Sequence, residues 1–142
     1  IVGKGGGEYY EKIARFIKNE KIESDIVFLG FVDDNELAFI YKKAIALVFP
    51  SLLEGFGFPV LEAMNCGLPV ITSKYGSLAE VAGNAGILVD PQSPQEISVA
   101  MEKIYSDNLL RYKLSRNGIV RAEEFSWKKS AEEFMSLFKT LQ

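Results

Sequence analysis

The chain has 142 residues, enough for one domain with a real core, and its 48% hydrophobic and 25% charged residues exclude a disordered or collagen-like protein. The 16 Lys and Arg against 19 Asp and Glu leave a net charge of −3, which argues against a nucleic-acid partner. No apolar run approaches the roughly 20 residues of a membrane-spanning helix. With one Cys and no His, the sequence offers no internal disulfide, no Cys-based zinc site, no Ser-His-Asp triad and no imidazole ligand or base. Any chemistry falls to carboxylates, Lys, Arg, hydroxyls and backbone dipoles.

The first residues, Ile1-Val2-Gly3, lack an initiator Met or a signal peptide and suggest the end of a buried strand in a longer protein. Tyr9, Ile13, Phe16 and Ile17 share one face of a first helix. Ile26-Val27-Phe28-Leu29 then predicts a strand, and Leu37, Ile40, Tyr41 and Ala44 a second helix, with Asp33 or Asp34 as its N-cap. Further strands are predicted at Ile45 to Phe49, Pro69 to Thr72 and Gly86 to Val89. These runs are continuous and β-branched rather than alternating, which suits a sheet buried on both faces. Pro59 opens a helix between two of them. The order β-α-β-α-β-α-β indicates a Rossmann-like parallel sheet with flanking helices, an α/β fold.

After Val89 the pattern is helical only. Ile97, Ala100, Met101 and Ile104 form one stripe, a second helix runs from about Asn108 to Glu124 with Asn117-Gly118 as a weak point, and Ser126 caps a last helix. Trp127, Ala131, Phe134 and Phe138 lie on one face of that helix and read as core. No linker or repeat interrupts residues 1–142, so the sequence reads as a single domain.

Ligands of open α/β sheets bind outside the carboxyl ends of the strands, so the strand-to-helix turns carry the functional information. Gly3-Lys4-Gly5-Gly6-Gly7-Glu8 is glycine-rich, but Glu8 breaks the dinucleotide fingerprint and no Gly-Lys-Ser/Thr ending makes it a P-loop. It serves either as a flexible turn or as a phosphate or sugar contact. Lys74, in Ser73-Lys74-Tyr75-Gly76-Ser77, reads first as a solvated lysine and second as a phosphate contact. Cys66 has no partner base and reads as a small hydrophobe.

The richest turn runs from Pro50 to Glu62. Gly55 and Gly57 let backbone approach a ligand, and the helix opened by Pro59 turns free amides and a positive dipole end toward the turn, which suits phosphate. Glu54 and Glu62 suit sugar or ribose hydroxyls. On residue chemistry alone, Glu62 can equally complement the helix dipole and Glu54 can be solvated.

The run from Pro50-Ser51 to Glu62, two Glu separated by seven residues with Gly-Phe-Gly after the first, resembles the signature of retaining glycosyltransferase family 4. The likeness continues through Leu61-Glu62-Ala63-Met64-Asn65-Cys66-Gly67-Leu68-Pro69-Val70-Ile71. It extends to Phe28-Leu29-Gly30-Phe31-Val32, Glu80-Val81-Ala82-Gly83, Gly86 to Pro91 and Phe125-Ser126-Trp127. The resemblance implies the C-terminal, donor-binding half of a GT-B fold, with its first strand-helix unit truncated and the acceptor domain absent. It places Glu54 at the transferred sugar as the catalytic residue, Glu62 on the ribose, and Gly55, Phe56, Gly57, Phe58, Val60 and Leu61 along the donor. Val32 and Asp34 would lie beside the base, Gly5 would line the cleft, and Ser77 would be near the donor.

The implied reaction transfers a hexose from a nucleoside-diphosphate sugar, GDP-mannose or a UDP-hexose, to a saccharide or lipid-linked acceptor hydroxyl with retention. No cofactor and no obligatory metal are expected. The expected location is cytoplasmic, with room for peripheral attachment at the inner face of a membrane. The rival readings are a non-catalytic nucleotide- or sugar-binding module and a nucleotide-sugar epimerase of similar fold. The Arg and Lys that the family usually carries upstream lie before Ile1, and Lys4 with Gly6-Gly7 departs from the family's more usual acidic residue and Pro.

Overall fold

The computed structural model describes residues 1–140, which divide into two compact units, Ile1–Phe39 and the chain from Ile40 onward. In the first, Ile1 to Gly3 runs parallel to the segment ending at Gly30. The amino group of Ile1 donates to Val27 O at 2.7 Å, Leu29 N donates to Ile1 O at 2.9 Å, and Gly3 N donates to Gly30 O at 2.8 Å. The predicted strand Ile26–Leu29 is thus reduced to a single bridge, Val2 to Gly30. Nor is the segment buried on both faces: Val27 is 63% exposed and Leu29 45%. It has one short partner among the described residues, and no second strand lies against its other edge in this unit.

Helix α1, Gly7–Glu20, follows and buries Ile17 alone of its apolar face. It ends at Lys21, whose left-handed conformation (φ 57°) closes the last turn. Helix α2, Asp34–Lys43, begins with a reciprocal cap. Asp33 Oδ1 accepts from the amides of Asn35 and Glu36, both at 2.9 Å, and Glu36 Oε2 accepts from the Asp33 amide at 3.1 Å.

The second unit contains the sheet. Strands β1, Leu47–Phe49, β2, Val70–Ser73, and β3, Ile87–Val89, are parallel in the order β1-β2-β3. Helix α3, Phe58–Asn65, connects the first pair, and α4, Gly76–Ala82, the second. The central strand β2 is buried at every position, as its unbroken Val-Ile-Thr-Ser run requires. Its two buried hydroxyls are satisfied: Thr72 Oγ1 donates to Phe49 O at 2.9 Å, and Ser73 Oγ accepts from the Tyr75 amide at 3.2 Å.

Helices α5, Pro94–Ser106, and α6, Asn108–Ala122, pack Ala100, Ile104 and Leu114 against Ile71 and Val89. Ser93 caps α5 through the Glu96 amide (3.2 Å), and Asp107 caps α6 through the Leu110 amide (2.9 Å). Gly118 is not a weak point of α6. It is buried where α6 meets α3, and a Cβ there would lie 3.5 Å from Met64 Cγ. Met64 is fully buried, which stabilises the fold by roughly 1.5–3 kcal/mol.

Helix α7, Trp127–Thr140, starts as expected, with Ser126 Oγ accepting from the Lys129 amide at 3.0 Å. Its apolar stripe is not core. Trp127 is 80% exposed, Phe134 and Phe138 are also exposed, and no residue of α7 is buried. Periodicity marks a face that can be covered, and here that face stays largely exposed. Among the described residues, no helix is long and apolar enough to cross a membrane.

Candidate functional site

Parallel pairing puts the turns after β1, β2 and β3 at the same edge of the sheet. The turn from Pro50 to Gly57 leaves β1 there and runs into α3. Gly57 is the N-cap of α3, in the left-handed region at φ 116° and ψ 41°, and Pro59 occupies the second helical position. A side chain at 57 would meet two obstacles: the unfavourable φ, and the Cδ2 of Leu78, 2.8 Å from where its Cβ would sit.

The amides of α3 divide into two groups. Val60 N and Leu61 N both donate to Gly57 O, at 3.0 and 3.2 Å, so they are engaged within the first turn. Among the described residues, no hydrogen bond takes the amides of Gly55, Phe56, Gly57 or Phe58. These four sit at the positive end of the α3 dipole, a donor array suited to an anionic oxygen. The Val60 side chain is fully buried among the core residues and Leu61 is half-buried.

Glu54 is half-buried, and no hydrogen bond or ion pair among the described residues engages its carboxylate. Its carbonyl is held: Ser77 Oγ, in the first turn of α4, donates to Glu54 O at 2.8 Å. Glu62 lies on the exposed side of α3, where the hydroxyl of buried Tyr41 donates to its Oε2 at a long 3.5 Å. Burial first, and then the Glu62 charge and this hydrogen bond, push the Tyr41 phenol up to about 12. Tyr41 therefore stays neutral and available as a donor.

Aromatic rings flank the turn. Phe56 and Phe58 lie with centroids 4.8 Å apart, Phe56 meets Phe125 edge-on at 5.9 Å, and Phe58 stacks on Trp127 at 6.1 Å. Together with Leu61, Ser126 and Ser130 they line a cavity of about 250 Å³. Trp127 is thus a stacking residue on the turn rather than core. The sequence offered a signal for this in the paired Phe-Ser-Trp and Gly-Phe-Gly-Phe runs, but not their contact.

The turn after β2 holds a surprise of charge. Lys74 is not simply solvated: its Nζ pairs with Asp90 Oδ2 at 3.2 Å and Glu96 Oε1 at 3.4 Å. Asp90 also accepts from the Tyr75 hydroxyl at 2.9 Å and from the Gln92 amide at 3.0 Å. The Gln92 amide, the Tyr75 hydroxyl and Lys74 hold the Asp90 carboxyl below its usual range. This latch joins the ends of β2 and β3 and sets two carboxylates beside Lys74, which leaves it a poor phosphate ligand. Among the described residues, no group of three or more His, Cys, Asp or Glu is arranged to hold a metal.

Gly5, Val32 and Asp34 belong to the first unit. The loops that carry them follow the two paired segments at one end of that parallel pair. Gly5 is exposed and lies beside the Tyr10 ring, whose Cε2 would be 2.7 Å from an added Cβ. Val32 is half-buried, and Asp34 is exposed at the first position of α2. Glu8 is engaged one helical turn on, pairing with Lys12 at 2.7 Å.

The chain is similar to O-antigen chain mannosyltransferase B of Escherichia coli, 39% identical over 119 residues that cover 84% of this chain and 31% of the relative. It is 33% identical to D-inositol 3-phosphate glycosyltransferase of Corynebacterium jeikeium, over 98% of this chain and 33% of the relative. Among solved structures, sucrose-phosphate synthase from Thermosynechococcus elongatus superposes with a TM-score of 0.87 at 30% identity, over 99% of this chain and 37% of that one. HepE of Anabaena, solved with UDP and glucose, shares the fold at a TM-score of 0.88 and 23% identity, over 98% of this chain and 39% of that one. The chain spans about a third of the length of these relatives. Its parallel α/β architecture is that of GT-B glycosyltransferases. The profile of the family described as Glycosyl transferases group 1 matches residues 1–121, and the chain belongs to that family.

Proposed function

We propose that this chain is the donor-binding part of a retaining hexosyltransferase of family 4, and that its donor is GDP-mannose. One observation carries the reading: a turn with four amides that no hydrogen bond among the described residues engages, at the α3 N-terminus and bracketed by Glu54 and Glu62, in a group 1 glycosyltransferase chain. The amides of Gly55 to Phe58 take the diphosphate, where leaving-group charge grows in the transition state. Glu54 faces the transferred sugar, and Glu62, steadied by Tyr41, takes the ribose hydroxyls. Gly5, Val32 and Asp34 serve the cleft and the base.

In this mechanism the acceptor hydroxyl attacks from the face that the phosphate leaves. The departing phosphate oxygen takes the acceptor proton, so no imidazole base is needed. Charge is met by amides and a helix dipole, and the reading requires no metal. Mannose is favoured by the names of two relatives, the O-antigen chain mannosyltransferase B and the serotype-specific mannosyltransferase WbdA, 39% and 35% identical to this chain. The O-antigen chain in the first of these names supports a saccharide acceptor; the proposed place of reaction is the cytoplasmic face of a membrane. Membership of the family favours transfer over a binding module or an epimerase.

The test is a melting and turnover panel on the full-length gene product that contains this chain, with GDP, UDP, ADP and their sugar conjugates. A ligand at a hundred times its Kd adds about 2.7 kcal/mol, a shift of several degrees. A shift and turnover with GDP-mannose, giving an α-linked product, supports the full reading. Shifts confined to UDP compounds overturn the donor, and an inverted product overturns retention. Glu62→Ala is expected to weaken donor binding more than Phe58→Leu; equal affinities refute the ribose role.

A further inference from the structure

The turn that carries Glu54 has little internal support. Among the described residues, its one side-chain bond within itself runs from Ser51 Oγ to Leu53 O, at 3.3 Å. Its firm attachment comes from α4. Ser77 Oγ donates to Glu54 O at 2.8 Å in a partly buried setting. The next residue, Leu78, is 1% exposed and packs against Gly57, the other end of the same tetrapeptide. Two adjacent residues of one helical turn thus grip residues 54 and 57.

The strut itself is fixed at both ends. At its start, the Tyr75 amide donates to Ser73 Oγ and the Tyr75 hydroxyl to Asp90. At its end, the Arg121 guanidinium on α6 donates to Glu80 O at 2.6 Å and Val81 O at 3.2 Å. Arg121 is in turn paired with Glu124 and stacked over the Phe125 ring.

We propose that Ser77 is a positioning residue for Glu54: its hydroxyl fixes the Glu54 carbonyl, and so aims the Glu54 side chain and the Gly55 to Phe58 amides at the donor. The role rests on the nucleotide-sugar reading of the turn. It differs from direct donor contact, because the one Ser77 hydrogen is already given to Glu54 O. Ser77 acts on the reacting end of the donor. Glu62 lies beyond Gly57, on the body of α3, and is held independently through Tyr41. Losing the Ser77 hydroxyl therefore lowers kcat more than it raises the donor KM.

The experiment compares Ser77→Ala and Ser77→Thr in the full-length gene product that contains this chain. Steady-state transfer from the nucleotide sugar is read together with amide hydrogen exchange at Val60 and Leu61, whose bonds to Gly57 O close the same turn. Ser77→Ala is expected to lower kcat by about tenfold, since small misplacements of reacting groups cost one to two orders of magnitude. Donor KM stays within about twofold, because contacts formed equally in ground and transition states are spared. Exchange accelerates at residues 60 and 61 as the Gly57 carbonyl loosens, and Ser77→Thr, which keeps the hydroxyl, restores both readouts. Unchanged exchange in Ser77→Ala overturns the clamp whatever the activity. An unchanged kcat, or a rise in KM with kcat intact, overturns the positioning role and favours direct donor contact. A wild-type protein that turns over no nucleotide sugar sinks the reading of the site, an outcome separate from the exchange result.

Discussion

Gly57 and Gly55 are two residues apart in one turn, yet the structure assigns them different duties, and alanine separates the two. At Gly57, φ is 116°, where a residue with a Cβ is strained by roughly 1–3 kcal/mol. The new methyl would also sit 2.8 Å from Leu78 Cδ2 and 4.0 Å from Val81 Cγ2, both on buried residues of α4. Forcing a buried neighbour aside costs about 1–3 kcal/mol more. Gly57→Ala should therefore lose about 3 kcal/mol or more of stability in urea titrations, a fall in Tm of about 10 °C. At Gly55 the backbone is outside the left-handed region and an added Cβ meets nothing within 4 Å. Gly55→Ala should hold stability within about 0.5 kcal/mol while weakening donor affinity by calorimetry, because its methyl crowds the amides that receive the diphosphate. A Gly57→Ala protein that melts with wild type would refute the steric argument. A Gly55→Ala protein with undiminished donor affinity would refute close ligand approach at that residue.

Arg121→Ala should cost about 2 kcal/mol in urea unfolding, since hydrogen bonds from a charged donor contribute about 1.5–3 kcal/mol and two α4 carbonyls lose their partner. Arg121→Lys should recover less than half of that, because an ammonium lacks the planar fork; full recovery would show that charge alone matters. Tyr41 gives a pH signature: its phenol titrates at about 12 in the fold against 10.0 ordinarily. The folded state then holds a proton that the unfolded state releases, so stability is full below pH 10 and falls as pH rises toward 12. Alkaline unfolding of wild type should be steeper than that of Tyr41→Phe by at most about 1.4 kcal/mol per pH unit. Parallel curves would mean that the phenol is not held neutral by burial and Glu62.

What the sequence made legible was local. The Val-Ile-Thr-Ser run of β2 needs no partner information to read as a buried strand, and caps such as Asp33 and Ser126 act within three residues of their own backbone. Gly55, Gly57 and Pro59 likewise announced a turn entering a helix at the candidate site. Features that depend on distant chain were not legible. Ile26–Leu29 has the composition of a buried strand, but burial depends on what lies against it. The apolar stripe of α7 is real, yet a stripe does not name its cover. Lys74 finds Asp90 and Glu96 only because β2 and β3 end side by side. Gly118 reads as a helix defect until Met64 is seen to lie against it.

The Ser77 contact belongs to the second group, and its chemistry explains why a turn of this kind is held from outside. A backbone turn is usually stabilised by donating its own amides to nearby carbonyls. Here the amides of Gly55 to Phe58 are what the proposed anion needs, so bonds inside the turn would consume the donors that make it useful. Support must come through an acceptor instead. A hydroxyl from α4 that donates to the Glu54 carbonyl fixes the chain without spending any amide. Leu78 adds a contact that involves no hydrogen-bonding group at all. The arrangement is preorganised in the sense that matters for electrostatic stabilisation: the donors are aimed before the ligand arrives and need not reorganise as charge develops. It also predicts where evolution or design could alter the site with least damage. Substitutions on α4 that keep a donor at position 77 and an apolar branch at position 78 should preserve the turn, whereas those that move either should disturb it without touching the donor.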